Sequence, residues 1–133
     1  MAAEAGFDMK IRVTEFATSL KQAEAGEYQA YMLAWSGRID PDGNAYVFLH
    51  SKAAQNDGGY ANPEADKAME EARMISDPAQ RKAIYQKLTG IVLNDEPIIY
   101  IYHRKLLIAH TNKLEGYRQM PDGLVRVIGL KLK

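Results

Sequence analysis

Two proline-marked helix starts constrain this chain more than any other feature. Asn62-Pro63 and Asp77-Pro78 each place a capping side chain directly before a proline. Proline suits the first helical position, where its missing N–H is one of the groups left unpaired anyway. An Asn or Asp in front of it can accept the orphan N–H groups of the first turn. After Asn62-Pro63, Ala65, Ala68, Met69 and Ala72 recur at helical spacing, with Lys67, Glu70 and Glu71 turned to water. After Asp77-Pro78, Gln80 stands at the third helical position, where a capping-box partner belongs. Ala83, Ile84, Leu88, Ile91 and Val92 then make an apolar stripe. The pattern predicts two successive amphipathic helices. Gly90 interrupts the second at a cost of ~1 kcal/mol relative to alanine, which points to close packing at that position.

Strand-like segments surround this pair. Phe7, Met9, Ile11 and Val13 alternate with polar residues, the period of a half-buried strand. A helix is expected from Phe16 to Ala25, closed by Gly26, and a buried strand from Tyr28 to Trp35. Strand, helix and strand in so short a span read as a βαβ unit with parallel strands. Met1 to Ala5 reads as a last helical turn stopped by Gly6, so the opening looks cut. Ala45 to Leu49 is expected as one helical turn. Pro97 to Tyr102, Leu106 to Ala109 and Val127 to Leu132 are expected as strands, with a turn at His103-Arg104-Lys105 and a loop over 111–126.

At 133 residues the chain is about one domain, with 47% hydrophobic and 26% charged residues, a globular balance that excludes collagen, a disordered tail and a membrane bundle. It has no cysteine, hence no disulfide framework, thiolate metal site or cysteine nucleophile. The net charge of zero hides a polarity. Residues 103–133 hold 7 basic and 2 acidic residues, so residues 1–102 hold 10 and 15 of the 17 of each sign. The basic residues of the tail are scattered, without a dense run or interleaved aromatics, and nucleic acid is not an expected partner. Nothing near Met1 has the basic start and apolar run of about 7–15 residues of a secretory leader, leaving a cytosolic chain or one whose beginning has been removed.

The densest turn chemistry runs from Ser36 to Asn44. Asp40, Asp42 and Asn44 match the first three ligand positions of a calcium loop, but Ala45 replaces the turn glycine and Ser51 the bidentate glutamate. His50, His103 and His110 lack metal spacing, and no nucleophile elbow, dinucleotide fingerprint or P-loop is present. No metal, cofactor or catalytic residue is therefore expected. What remains is a loop at the carboxyl end of a predicted parallel strand, where open α/β sheets bind ligands. Trp35 offers a flat apolar face, Ser36 and Gly37 a turn, Arg38 a fork for a carboxylate and Asp40 an acceptor. The same residues also fit a core tryptophan beside a solvated arginine and a turn aspartate.

Taken together, the segments resemble the C-terminal part of the family-5 solute-binding proteins, the dipeptide-, oligopeptide- and nickel-binding components of ABC importers. The resemblance is carried by Glu27-Tyr28 leading to Ala34-Trp35-Ser36-Gly37, by Asp40-Pro41-Asp42-Gly43-Asn44, and by Gly59-Tyr60-Ala61-Asn62-Pro63-Glu64-Ala65-Asp66. It continues through Asp77, Arg81 and Tyr85, Asn94-Asp95-Glu96-Pro97-Ile98-Ile99-Tyr100 and Gly116-Tyr117.

That resemblance implies an α/β fold, part of the C-terminal lobe of a two-lobe periplasmic binding protein, with a mixed sheet flanked by helices. Residues 1–102 would belong to that lobe, and residues 103–133 would be a crossover tail returning to the N-terminal lobe. It implies a periplasmic protein without enzymatic activity, a peptide or small-molecule ligand, and an ABC permease as membrane partner. A stand-alone α/β binding or interaction domain derived from the lobe is the competing expectation. Peptide-binding members place an aspartate three residues after the loop tryptophan to meet the ligand's ammonium. Here Arg38 holds that position, and an arginine repels an ammonium and attracts an anion. Arg38 is expected either to meet a ligand carboxylate or to pair internally with Asp40 or Asp42. The tail is expected to self-associate, because its apolar strands lack partners.

Overall fold

The computed structural model describes residues 2–102 and 105–133. The chain divides into two compact units, Met1–Met32 and Leu33–Lys133. The first holds a short 3-10 turn at Ala3–Ala5, stopped by Gly6 in the left-handed region (φ 87°), and one helix, α1, at Phe16–Glu24. Glu15 caps α1, its carboxylate accepting the N–H groups of Ala17 and Thr18 at 3.0 Å each. Arg12 crosses to Gln22 Oε1 (3.1 Å) and to the Glu27 carbonyl (3.3 Å), tying the extended segment before α1 to the chain after it.

In the second unit three helices build the core: α2 at Asp42–Leu49, α3 at Pro63–Met74 and α4 at Pro78–Asp95. The two proline-marked starts are where the sequence places them. Asn62 Oδ1 accepts from Glu64 and Ala65, and Asp77 Oδ1 accepts from Gln80. α3 packs against both α2 and α4. Its alanines 65, 68 and 72 are buried together with Met69, and their small size lets the helices approach. Leu49, Leu88 and Val92 complete the cluster, with Tyr46, Tyr60, Ile84 and Tyr85 around it.

Two polar locks finish the unit. His50 is buried, its Nδ1 accepting the Lys52 N–H (3.1 Å) and its Nε2 lying 3.2 Å from Glu70 Oε1. The bond at Nδ1 places the ring proton on Nε2, so the ring donates to Glu70 while it stacks on Tyr46. At the other end, the Tyr60 hydroxyl and Asn62 Nδ2 both donate to Asp95 Oδ2 at 2.6 Å, joining the start of α3 to the end of α4. Burial and this carboxylate push the Tyr60 hydroxyl up to about 12.

The sheet is smaller than the pattern predicts. Among the described residues one antiparallel pair forms, β1 at Leu114–Glu115 with β2 at Lys131–Leu132, in the register Leu114↔Leu132. Gly116, at φ 78°, sits where a Cβ would lie 2.2 Å from the Gly129 carbonyl oxygen, so only glycine admits this approach. The segments 7–13, 28–35, 97–102 and 106–109 have no ladder, and the βαβ unit is not formed. Alternation specifies which side chains share a face, but a strand also needs a hydrogen-bonded neighbour. Of the turn predicted at His103-Arg104-Lys105, the first two residues lie outside the described residues. No helix among the described residues is long and apolar enough to cross a membrane.

The close packing expected at Gly90 is absent, since a Cβ there would meet nothing within 4 Å. Ala83, placed on the buried stripe by the pattern, is exposed. Gly90→Ala is therefore expected to stabilise the chain by ~0.5–1 kcal/mol through helix propensity alone. The urea midpoint measures this, and an unchanged or lower midpoint refutes it.

Candidate functional site

The segment Leu33–Pro41 leads into α2 and carries all five candidate residues. Trp35 is half exposed (47%), and its ring lies 6.0 Å from that of Phe48 on α2. Trp35 is thus neither a core residue nor fully solvated. Arg38 donates through Nη1 to its neighbour Ser36, at the carbonyl (2.9 Å) and at Oγ (2.7 Å). This folds the arginine back along the loop and fixes Ser36.

Asp40 and Asp42 are each engaged by an arginine from another helix, so Arg38 makes no internal pair with either of them. Arg81 on α4 donates Nη1 and Nη2 to the two oxygens of Asp40 at 2.7 Å each. Arg73 on α3 donates Nε and Nη2 to the two oxygens of Asp42 at 2.7 and 2.9 Å. Such parallel two-point pairs fix direction as well as distance. Arg73 also lies over Tyr46, its Cζ 3.3 Å from the ring centre. The Arg81 guanidinium, with help from the Asp42 N–H, holds the Asp40 carboxyl down at about 2. A lowered value favours the folded state above the ordinary aspartate range, and that contribution fades as the pH falls through about 2.

The Asp40–Asn44 run is thus a helix start rather than an ion loop. Asp40 Oδ1 accepts the Asp42 N–H (2.8 Å), an Asx turn that launches α2. Gly43 packs closely here, since a Cβ would lie 3.0 Å from Arg38 Cβ and Cγ. A turn stabilised by its own Asp and Asn side chains is what the residues of this run suggest, and Asn44 does this. Sequence reasoning missed Arg73 and Arg81 as builders of the loop. The two arginines lie far along the chain, and no spacing rule links them to it.

Ser36 and Gly37 line an open groove of about 730 Å³, faced by Leu106 and the turn Gln119–Gly123. A second, more apolar groove of about 400 Å³ runs between α2 and α4 past Ile39, Tyr85 and Tyr100. The first brings part of the candidate loop to a concave surface. Trp35, Arg38 and Asp40 do not line it.

No family model matches the chain. Individual proteins do match along most of its length. It is 31% identical over 119 residues to the di/tripeptide-binding protein 4 of Pseudomonas aeruginosa, which covers 86% of this chain and 22% of the relative. It is 30% identical over 121 residues to the oligopeptide-binding protein AppA of Bacillus subtilis, covering 87% and 22%. It is 26% identical over 102 residues to the probable deoxycholate-binding periplasmic protein YgiS of Escherichia coli, covering 77% and 19%. The relatives are binding proteins by name, and the chain is related to the family-5 solute-binding proteins that its motifs resemble. It spans about a fifth of the length of these relatives.

Proposed function

We propose that this chain is the C-terminal part of the extracytoplasmic solute-binding component of an ABC importer. In this reading residues 1–102 belong to the C-terminal ligand-binding lobe and residues 103–133 return to the other lobe. The ligand is a peptide-like or small anionic solute, held between the lobes and delivered to the permease without chemical change. Trp35, Ser36, Gly37 and Arg38 face it, with Asp40 at the far end of the same loop. The observation that carries the ligand class is Arg38. It occupies the place where peptide-binding relatives are expected to hold an aspartate, and it has no carboxylate partner among the described residues. Its remaining donors suit a ligand carboxylate. The names of the relatives span peptides and deoxycholate, so kinship leaves room for a ligand without a free ammonium.

The test is calorimetry with acetyl-alanyl-alanine, which has a carboxylate and no ammonium, on the two-lobe protein that includes this segment. Arg38→Asp is expected to weaken binding by at least ~1.5 kcal/mol, the low end for a hydrogen bond to a charged group. Unchanged affinity removes the role given to Arg38. The segment alone offers one face of a site that needs two, and self-association of its tail through residues 103–133 is part of the same reading.

A further inference from the structure

The loop that carries Arg38 is held from three sides, and none of the holding groups belongs to the ligand-facing set. Asn44 on α2 brackets the Arg38 peptide. Its Oδ1 accepts the Arg38 N–H at 2.7 Å, and its Nδ2 donates to the Arg38 carbonyl at 2.7 Å and to the Asp40 carbonyl at 3.0 Å. Arg81 grips both oxygens of Asp40 while its Nε donates to the Ala72 carbonyl at 3.0 Å, near the end of α3. Arg73 grips Asp42, two residues further on. The loop is therefore referenced to α2, α3 and α4 together.

We propose that Arg81 and Asn44 are positioning residues for the segment Trp35–Arg38, and that Asp40 acts by receiving Arg81 rather than by touching the ligand. This rests on the reading that Trp35–Arg38 faces the ligand. Arg81 is rigidly placed because one guanidinium satisfies Asp40 and the Ala72 carbonyl at once, so the packing of α3 on α4 sets where Asp40 lies. Asp40 in turn passes its carbonyl to Asn44, whose other contacts fix the peptide of Arg38. A helix-packed frame thus fixes where the Arg38 side chain leaves the backbone, which lowers the ordering cost of binding. A lysine at position 81 would keep the charge and lose the parallel pair.

The experiment uses the 133-residue chain and needs no ligand. Amide hydrogen exchange is followed at Arg38, with Met69 and Leu88 as core references, and iodide quenching reports Trp35, the single tryptophan. Arg81→Gln and Asn44→Ala are each expected to speed exchange at the Arg38 amide about tenfold and to raise quenching, with the core references unchanged. Arg81→Lys is expected to fall between Arg81→Gln and wild type, and Lys87→Gln, on the same helix, to change nothing. In the two-lobe protein, Arg81→Gln is expected to weaken acetyl-alanyl-alanine about fivefold without contact, through loss of preorganisation. Unchanged exchange at Arg38 in both variants overturns the proposal, and so does a rise that Met69 and Leu88 share equally. Failure of the Arg38→Asp calorimetry, by contrast, strikes the ligand-facing reading and leaves the exchange result standing, so the two failures are distinct.

Discussion

Met69→Ala is expected to destabilise the chain by about 2–5 kcal/mol, the range for emptying a buried methionine site. Met69 is fully buried on α3, at the face that packs toward both α2 and α4. Its neighbours along that face are Ala65, Ala68 and Ala72, which have no side-chain length with which to fill the space. Collapse of the site would require the helices to move, and the Tyr60–Asp95 and Asn62–Asp95 bonds resist that at one end. The expected loss is a large part of the ~5–15 kcal/mol that holds a domain together. Met69→Leu conserves volume and is expected to cost under ~1.5 kcal/mol. Urea unfolding followed by helical circular dichroism measures both. A loss below 1 kcal/mol for the alanine variant would mean that α2, α3 and α4 do not act as one core.

What the sequence made legible was local. The caps at Asn62 and Asp77 work through side chains one to three residues from the N–H groups they serve, so composition at a few positions decides them. The stripe Ala65, Ala68, Met69 and Ala72 is buried as its spacing predicts. α2 is longer than the single turn expected at Ala45–Leu49, because the Asx turn at Asp40 starts it at Asp42.

The strands were not legible in the same way. The alternation of Phe7, Met9, Ile11 and Val13 says that one face seeks cover, yet all four side chains are exposed and the segment has no ladder. A pattern of period two is silent about which chain lies alongside. The loop at Trp35–Asn44 was visible as turn chemistry beside an aromatic and an arginine. Its frame was not visible, because the fork from Arg81 to Asp40 joins residues 41 positions apart through the packing of helices.

The chain is expected to associate with itself through residues 103–133. As described from residue 105 on, this segment leaves Leu107 (90%) and Ile128 (94%) almost fully exposed, with Val127 and Leu132 largely exposed beside them. Its one ladder, Leu114–Glu115 with Lys131–Leu132, is two residues long on each side and leaves residues 106–109 and 127–130 without strand partners. Residues 127–130 close a turn through the Leu130 N–H to the Val127 carbonyl, which holds Ile128 out at its tip, and exposed apolar residues beside unpaired backbone at 106–109 recruit other chains. Charge points the same way. The segment 103–133 carries 7 basic against 2 acidic residues and the rest of the chain 10 against 15, so the tail of one molecule is attracted to the body of another. Exchange of the tail between two copies would cover the apolar residues and pair the charges with little new structure. Light scattering at high protein concentration is expected to return at least twice the mass of one chain. The double variant Leu107→Lys, Ile128→Lys is expected to shift that mass toward the monomer by adding charge to the two most exposed apolar positions of the tail. A compact monomer of this length has a radius of gyration of about 14 Å. X-ray scattering that gives this value together with the mass of a single chain would show that the tail is satisfied within its own molecule and would reject exchange.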